Sequence, residues 1–153
     1  MLIHPHQPDG PLKKYRGSGE NKSMRNWLVL LFSFLLVSGA GAEQIKVLLH
    51  LDQADQAVTL INVAEEIVKA NPDADVQVVV HGAAVTRLRR DDYLNADFQR
   101  IIDRGVHIGV CNVSMARKGM LHDSILTGVE LLTEGGIARV LALQKQGYSY
   151  IKI

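Results

Sequence analysis

Val76-Gln77-Val78-Val79-Val80-His81-Gly82 (VQVVVHG, residues 76–82) decides how this chain folds. Its apolar residues run on instead of alternating with polar ones. A strand with one face in water alternates; a strand without alternation has both faces covered, as in a parallel sheet between helical layers. Two other runs share this character, Ile45 to His50 (IKVLLH) before it and Val106 to Val110 (VHIGV) after it. Between the first two runs, Val58, Ile61, Ala64/Glu65 and Val68, flanked by Leu60, Val63 and Ile67, recur at helical spacing. Asp52 or Asp55 is placed to cap that helix, and Asn71-Pro72-Asp73 ends it.

The rest of the chain continues the alternation. Asp91 or Asp92 opens a helix expected to bury Tyr93, Leu94, Phe98, Ile101 and Ile102 and to stop at Gly105. Arg87, Arg89 and Arg90, facing Asp91 and Asp92, read as a solvated charged segment. Residues 113–121 suit a short helix, and residues 122–133 read as irregular with a short strand near 129–132. Gly135 to Gln146 forms an amphipathic helix through Ile137, Val140, Leu141 and Leu143/Gln144, and Tyr148 to Ile153 is a last strand. Strands alternating with helices at this spacing imply βαβ units. The expected class is α/β, a three-layer α/β/α sandwich with a mostly parallel sheet of about five strands.

The 153-residue chain carries more than this domain. From Met24 it reads MRNWLVLLFSFLLVSGAGAEQ, in which Arg25 is a short positive start, Trp27 to Val37 is apolar and Ala40-Gly41-Ala42 is an A-x-A site. That is the layout of a secretory signal peptide at 24–42, cleaved after Ala42, and too short for the about 20 apolar residues of an anchor. The expectation is a periplasmic or secreted protein with no stable membrane anchor after cleavage. Residues 1–23 are polar, rich in Gly, Pro and Lys, and without apolar periodicity; they read as a disordered leader or a mis-assigned start, with translation beginning at Met24. Residues 43–153 then form one small domain of 111 residues, with 12 Lys and Arg against 14 Asp and Glu, a net charge of −2. With no basic stripe and only 5% aromatic residues, a nucleic-acid partner is not expected. A single cysteine, Cys111, excludes an internal disulfide.

In open parallel sheets, ligands bind outside the carboxyl ends of the strands. His50 ends the first strand, His81 the second and Cys111 the third, so parallel strands would gather all three on one edge. A free thiol at its ordinary pKa of about 8.5 is mostly protonated at neutral pH. A helix beginning near Val113 or Ser114, with Arg117 and Lys118 one to two turns on, would favour the thiolate. Buried free cysteine also serves as a small hydrophobe, and strand-end histidines also bond backbone carbonyls, so a packing role stands beside the chemical one. Thiolate with imidazole suits zinc or Cu(I) as well, although no C-x2-C or H-x3-H spacing is present.

The segments VCNVSMARKG, with Cys111 after the third strand, and GVELLTEGGIARVLALQKQGYSYIKI resemble the DsrE/DsrF-like family of small α/β proteins over nearly the whole domain. The spacing from Cys111 to Arg117-Lys118-Gly119 is similar to the Cys-x5-basic-basic-Gly of its sulfur-carrier members. The resemblance implies that Cys111 accepts sulfane sulfur as a persulfide and passes it on. His50 or His81 would steady the anion, and Asn112 and Ser114 would donate hydrogen bonds to the bound sulfur. It also implies a homotrimer or homohexamer, a sulfur donor or acceptor that is a protein or a small sulfur compound, and no organic cofactor. The alternatives are an oligomeric scaffold without chemistry and a Cys/His metal-binding protein.

Overall fold

Every pairing in the sheet is parallel, and the strand order is β4-β3-β2-β1-β5. The structure, a computed structural model, describes residues 44–153; the leader and signal segment expected at 1–23 and 24–42 lie outside the described residues. The strands are β1 Lys46–Leu51, β2 Asp75–Val80, β3 His107–Cys111, β4 Val129–Leu132 and β5 Ser149–Lys152. The helices are α1 Ala57–Ala70, α2 Asn95–Asp103, α3 Asn112–Arg117 and α4 Gly136–Lys145.

Handedness sets which helix lies where. The connections from β1 to β2, β2 to β3 and β3 to β4 all step toward the same edge, so right-handed crossovers put α1, α2 and α3 on one face. The connection from β4 runs back across the sheet to β5, beside β1, and the same rule puts α4 on the other face. Two separate cores follow. The larger packs Leu49, Leu51, Val78, Val80 and Val110 against Leu60 of α1, Phe98 and Ile101 of α2 and Met115 of α3. The smaller packs Leu48, Val79 and Leu132 against Val140 and Leu143 of α4, with Tyr148 at its margin. These are the three layers and five strands anticipated, with the sheet wholly parallel.

Several details differ from the sequence expectation. Neither Asp52 nor Asp55 caps α1: a short 3-10 turn, Ala54–Gln56, leads into it and Gln56 makes no side-chain cap bond. Asp52 instead pairs with Lys152 of β5. Val58 is 48% exposed because the inward stripe of α1 is Ala57, Leu60, Ile61 and Ala64. Tyr93 is 72% exposed. It precedes α2, in a turn where Leu94 N–H donates to Asp92 Oδ1 at 2.9 Å, and its ring lies under the Arg87 guanidinium. Ile137 and Leu141 face outward on α4, whose buried stripe is Gly136, Val140 and Leu143. A 3-10 stretch, Gly82–Leu88, fills much of the path from β2 to α2.

Candidate functional site

Because β1, β2 and β3 are adjacent and parallel, their carboxyl ends form one rim. Side chains alternate across a strand, and Leu48 and Val79 face α4; His50, His81 and Cys111 keep that phase and face the same way. His50 sits opposite Val79 on one side and Lys152 on the other. His81 follows Val80, the partner of Val110, and therefore stands beside Cys111. The two imidazoles are stacked, with ring centroids 4.6 Å apart and planes 21° from parallel. His50 Nδ1 is 2.7 Å from the Tyr150 hydroxyl.

Cys111 is buried, at 6% exposure. It occupies the N-cap of α3, and α4 begins against it. Burial pushes its thiol pKa up, but the nearby Ser114 hydroxyl and the backbone N–H groups of Gly136, Ser114 and Val113 outweigh this, and the net shift is downward, although the side chain makes no cap hydrogen bond to α3. Ser114 is itself fixed: Gly82 N–H donates to its Oγ at 2.9 Å, which leaves the hydroxyl proton free for sulfur. Asn112, by contrast, is exposed on the first turn of α3. Arg117 and Lys118 are exposed at the far end of that helix. What favours the thiolate is thus a cage of short-range donors, and the positive charge anticipated from Arg117 and Lys118 is not what supplies it.

Gly136 makes the cage possible. A Cβ on it would lie 3.1 Å from His81 Cβ and 3.3 Å from Cys111 Cβ. A glycine lets the start of α4 press this close to the rim without crowding those atoms. Sequence reasoning missed it, although the Gly135-Gly136 pair ahead of a helical pattern was the available signal. Tyr150 and Lys152 were missed as well, delivered by the strand order that brings β5 beside β1, and Asp52, just past β1, was read only as a helix cap.

The charges at the rim are ordered. Burial, then His81, then Lys152 lower the His50 pKa from 6.5 to about 4, with Asp52 opposing them. His81 is lowered mainly by burial as well, with Asp52 opposing and Lys152 adding to the fall. Asp52 is held below the usual carboxylate range, chiefly by its hydrogen bond from Lys152. Both imidazoles are therefore neutral at pH 7. Among the described residues, no group of three or more His, Cys, Asp and Glu side chains is arranged to hold a metal ion. A surface groove of about 850 Å³ is lined by Asn62, Glu65, Lys69 and Arg104 and includes none of the rim residues.

An open parallel sheet with α4 alone on one face, and a buried thiol at its carboxyl rim, defines a small three-layer α/β protein. The chain belongs to the DsrE/DsrF-like family, whose model matches residues 35–153. Sulfur relay is the function that this membership carries at the level of the family. The fold is similar to that of MTH1491 from Methanobacterium thermoautotrophicum, a protein of unknown function, with a TM-score of 0.68 and 24% identity over 72% of this chain and 100% of that one. It is also similar to the ychN protein from E. coli, with a TM-score of 0.64 and 12% identity over 72% of this chain and 100% of that one. A protein of unknown function from Bacteroides thetaiotaomicron, BT1422, gives a TM-score of 0.55 and 19% identity over 71% and 95% of the two chains. No curated protein matches in sequence.

Proposed function

We propose that this is an exported sulfur-handling protein in which Cys111 carries sulfane sulfur as a persulfide. The observation that carries the reading is the placement of a buried cysteine at the N-cap of α3, against His81 and the start of α4, where neighbouring donors lower its thiol pKa despite burial. An inert packing cysteine is pushed the other way by burial. Family membership and the two neutral imidazoles on the same rim support it. The thiolate attacks a sulfane sulfur, the donor's S–S bond breaks, and the donor fragment leaves with the bonding pair. A partner thiolate then attacks the outer sulfur and Cys111 leaves as thiolate, so electrons and protons balance. In this role the N–H donors and Ser114 steady the sulfur anion before and after loading, while Asn112 stands by at the mouth. Export rests on the signal-like sequence of residues 24–42.

Intact mass after incubation with inorganic polysulfide tests the reading. Wild type gains one sulfur and Cys111→Ser gains none; no Cys111-dependent gain would leave only the packing role. Self-association into a homotrimer or homohexamer is part of the same proposal, supported by the outward apolar residues Ile137, 53% exposed, and Leu141, 56% exposed, on α4. Light scattering that returned a monomer would remove that part alone.

A further inference from the structure

The rim holds one feature that sulfur carriage on Cys111 leaves unused. His50 is 5% exposed, and its Nε2 is buried without a hydrogen-bond partner; Nε2 of His81 is buried and unpartnered too. Each such atom costs about 1–3 kcal/mol if it stays unpaired, and native interiors seldom leave two side by side. A neutral imidazole has one donor and one acceptor nitrogen. With the Tyr150 hydroxyl, 2.7 Å from Nδ1 of His50, assigned as the donor, the ring proton falls on Nε2. That proton meets no acceptor. Cys111 is not the answer, since neither Nε2 makes a hydrogen bond to its sulfur.

The missing partner of that proton must present acceptor atoms. Lys152 is opposite His50 on the neighbouring strand and is engaged by Asp52. The groups facing the two rings are therefore each other, Cys111, Tyr150, Asp52 and Lys152. A small acceptor entering here gains the Nε2–H of His50, and that of His81 in the matching tautomer, beside an ammonium that Asp52 and Ile153 O already share. We propose that the stacked His50–His81 pair is the seat of a small sulfur oxyanion: the sulfonate end of a thiosulfonate-class donor, thiosulfate being the simplest, and the sulfite that leaves it. For its chemistry the inference rests on the carrier reading of Cys111. The thiolate attacks the outer sulfur of thiosulfate, the S–S bond breaks, and sulfite departs with the electron pair; a persulfide anion remains on Cys111. Charge is conserved at minus three on each side. The leaving group is then already on its donors. Because burial keeps both rings uncharged, an arriving anion draws a proton onto one of them, and binding tightens as pH falls.

Two readouts keep the seat and the carrier apart. First, Cys111→Ser protein is titrated with sulfite while the imidazole proton signals are followed by NMR. The His50 and His81 signals should move saturably in the millimolar range or below, more tightly at pH 6 than at pH 8, and a neutral sulfone should not move them. His81→Gln, checked for an unchanged amide spectrum, should abolish the binding. Second, in protein with Cys111 intact, His81→Gln should raise the thiosulfate needed for half-loading about tenfold more than it raises the polysulfide needed. No shift with sulfite up to tens of millimolar overturns the seat, and so does equal loss with both donors. Sulfite binding without any sulfur gain on Cys111 overturns the carrier and upholds the seat.

Discussion

The two faces of the sheet are built to different ends. On one, three helices cover a continuous apolar core in which Phe98, Leu60, Val80 and Ile101 are fully buried. On the other, a single ten-residue helix covers five residues' worth of core, and the same strands end in His50, His81 and Cys111. The first face is closed and apolar, so it contributes stability. The second keeps polar groups at its rim, where two imidazoles stay unpaired at one nitrogen and a thiol is held by donors. Strain and unmet bonds gather where function is; here they sit on the thinly covered side.

The largest effect is expected from breaking the closed face. Phe98→Ala removes a fully buried ring from the larger core and should cost about 3–5 kcal/mol in urea unfolding. At a temperature where the variant stays folded, its Cys111 alkylation rate should remain near wild type, because the ring lies across the sheet from the thiol. A large change in that rate would mean the faces are not independent.

Acid should act on the other face. His50 titrates near 6.5 when unfolded and about 4 when folded. Between those values the unfolded chain holds more protons, so stability is complete above about pH 6.5 and falls as pH drops toward 4. The loss approaches about 3 kcal/mol at the lower end, and His81, shifted in the same direction, adds to it. The lowered carboxylates Asp52 and Asp75 lose their contribution only at lower pH, below their unfolded value. Denaturant midpoints measured from pH 7 to pH 4 should therefore decline, and the decline should flatten in His50→Gln. An equal slope in that variant would place the proton elsewhere.

The faces also differed in how far they could be read from sequence. Strands buried on both sides announce themselves, because Val76 to Val80 and Val106 to Val110 have no polar phase to confuse; even the short β4 at Val129–Leu132 was legible. The three strand-end residues followed from parallelism alone. Helix phase was harder: with apolar residues around much of α4, Ile137 and Leu141 looked as inward as Val140, and the close approach at Gly136 decides the phase instead. Tyr150 and Lys152 were out of reach for a different reason. Their meeting with His50 depends on the last strand pairing with the first, a contact across about a hundred residues that no local pattern encodes.

Gly136 gives the smallest change in stability and the sharpest reading of the comparison. In Gly136→Ala the new methyl would crowd His81 Cβ at 3.1 Å and Cys111 Cβ at 3.3 Å, with Val79 Cγ1 at 3.5 Å behind them. Two of these atoms sit beside rigid strand backbone and cannot swing away, so the start of α4 must retreat. Overpacking of this kind costs about 1–3 kcal/mol. As α4 moves back, its N–H leaves the sulfur, one of the donors that hold the thiol down is lost, and burial regains weight. The pH midpoint of Cys111 alkylation should rise. Ser114→Ala should raise it too, since the side-chain hydrogen bond is the largest downward influence, yet without moving the helix. If Gly136→Ala lowers stability but leaves the thiol midpoint in place, α4 would be only a cover for the smaller core, and the two faces would differ in thickness and not in purpose.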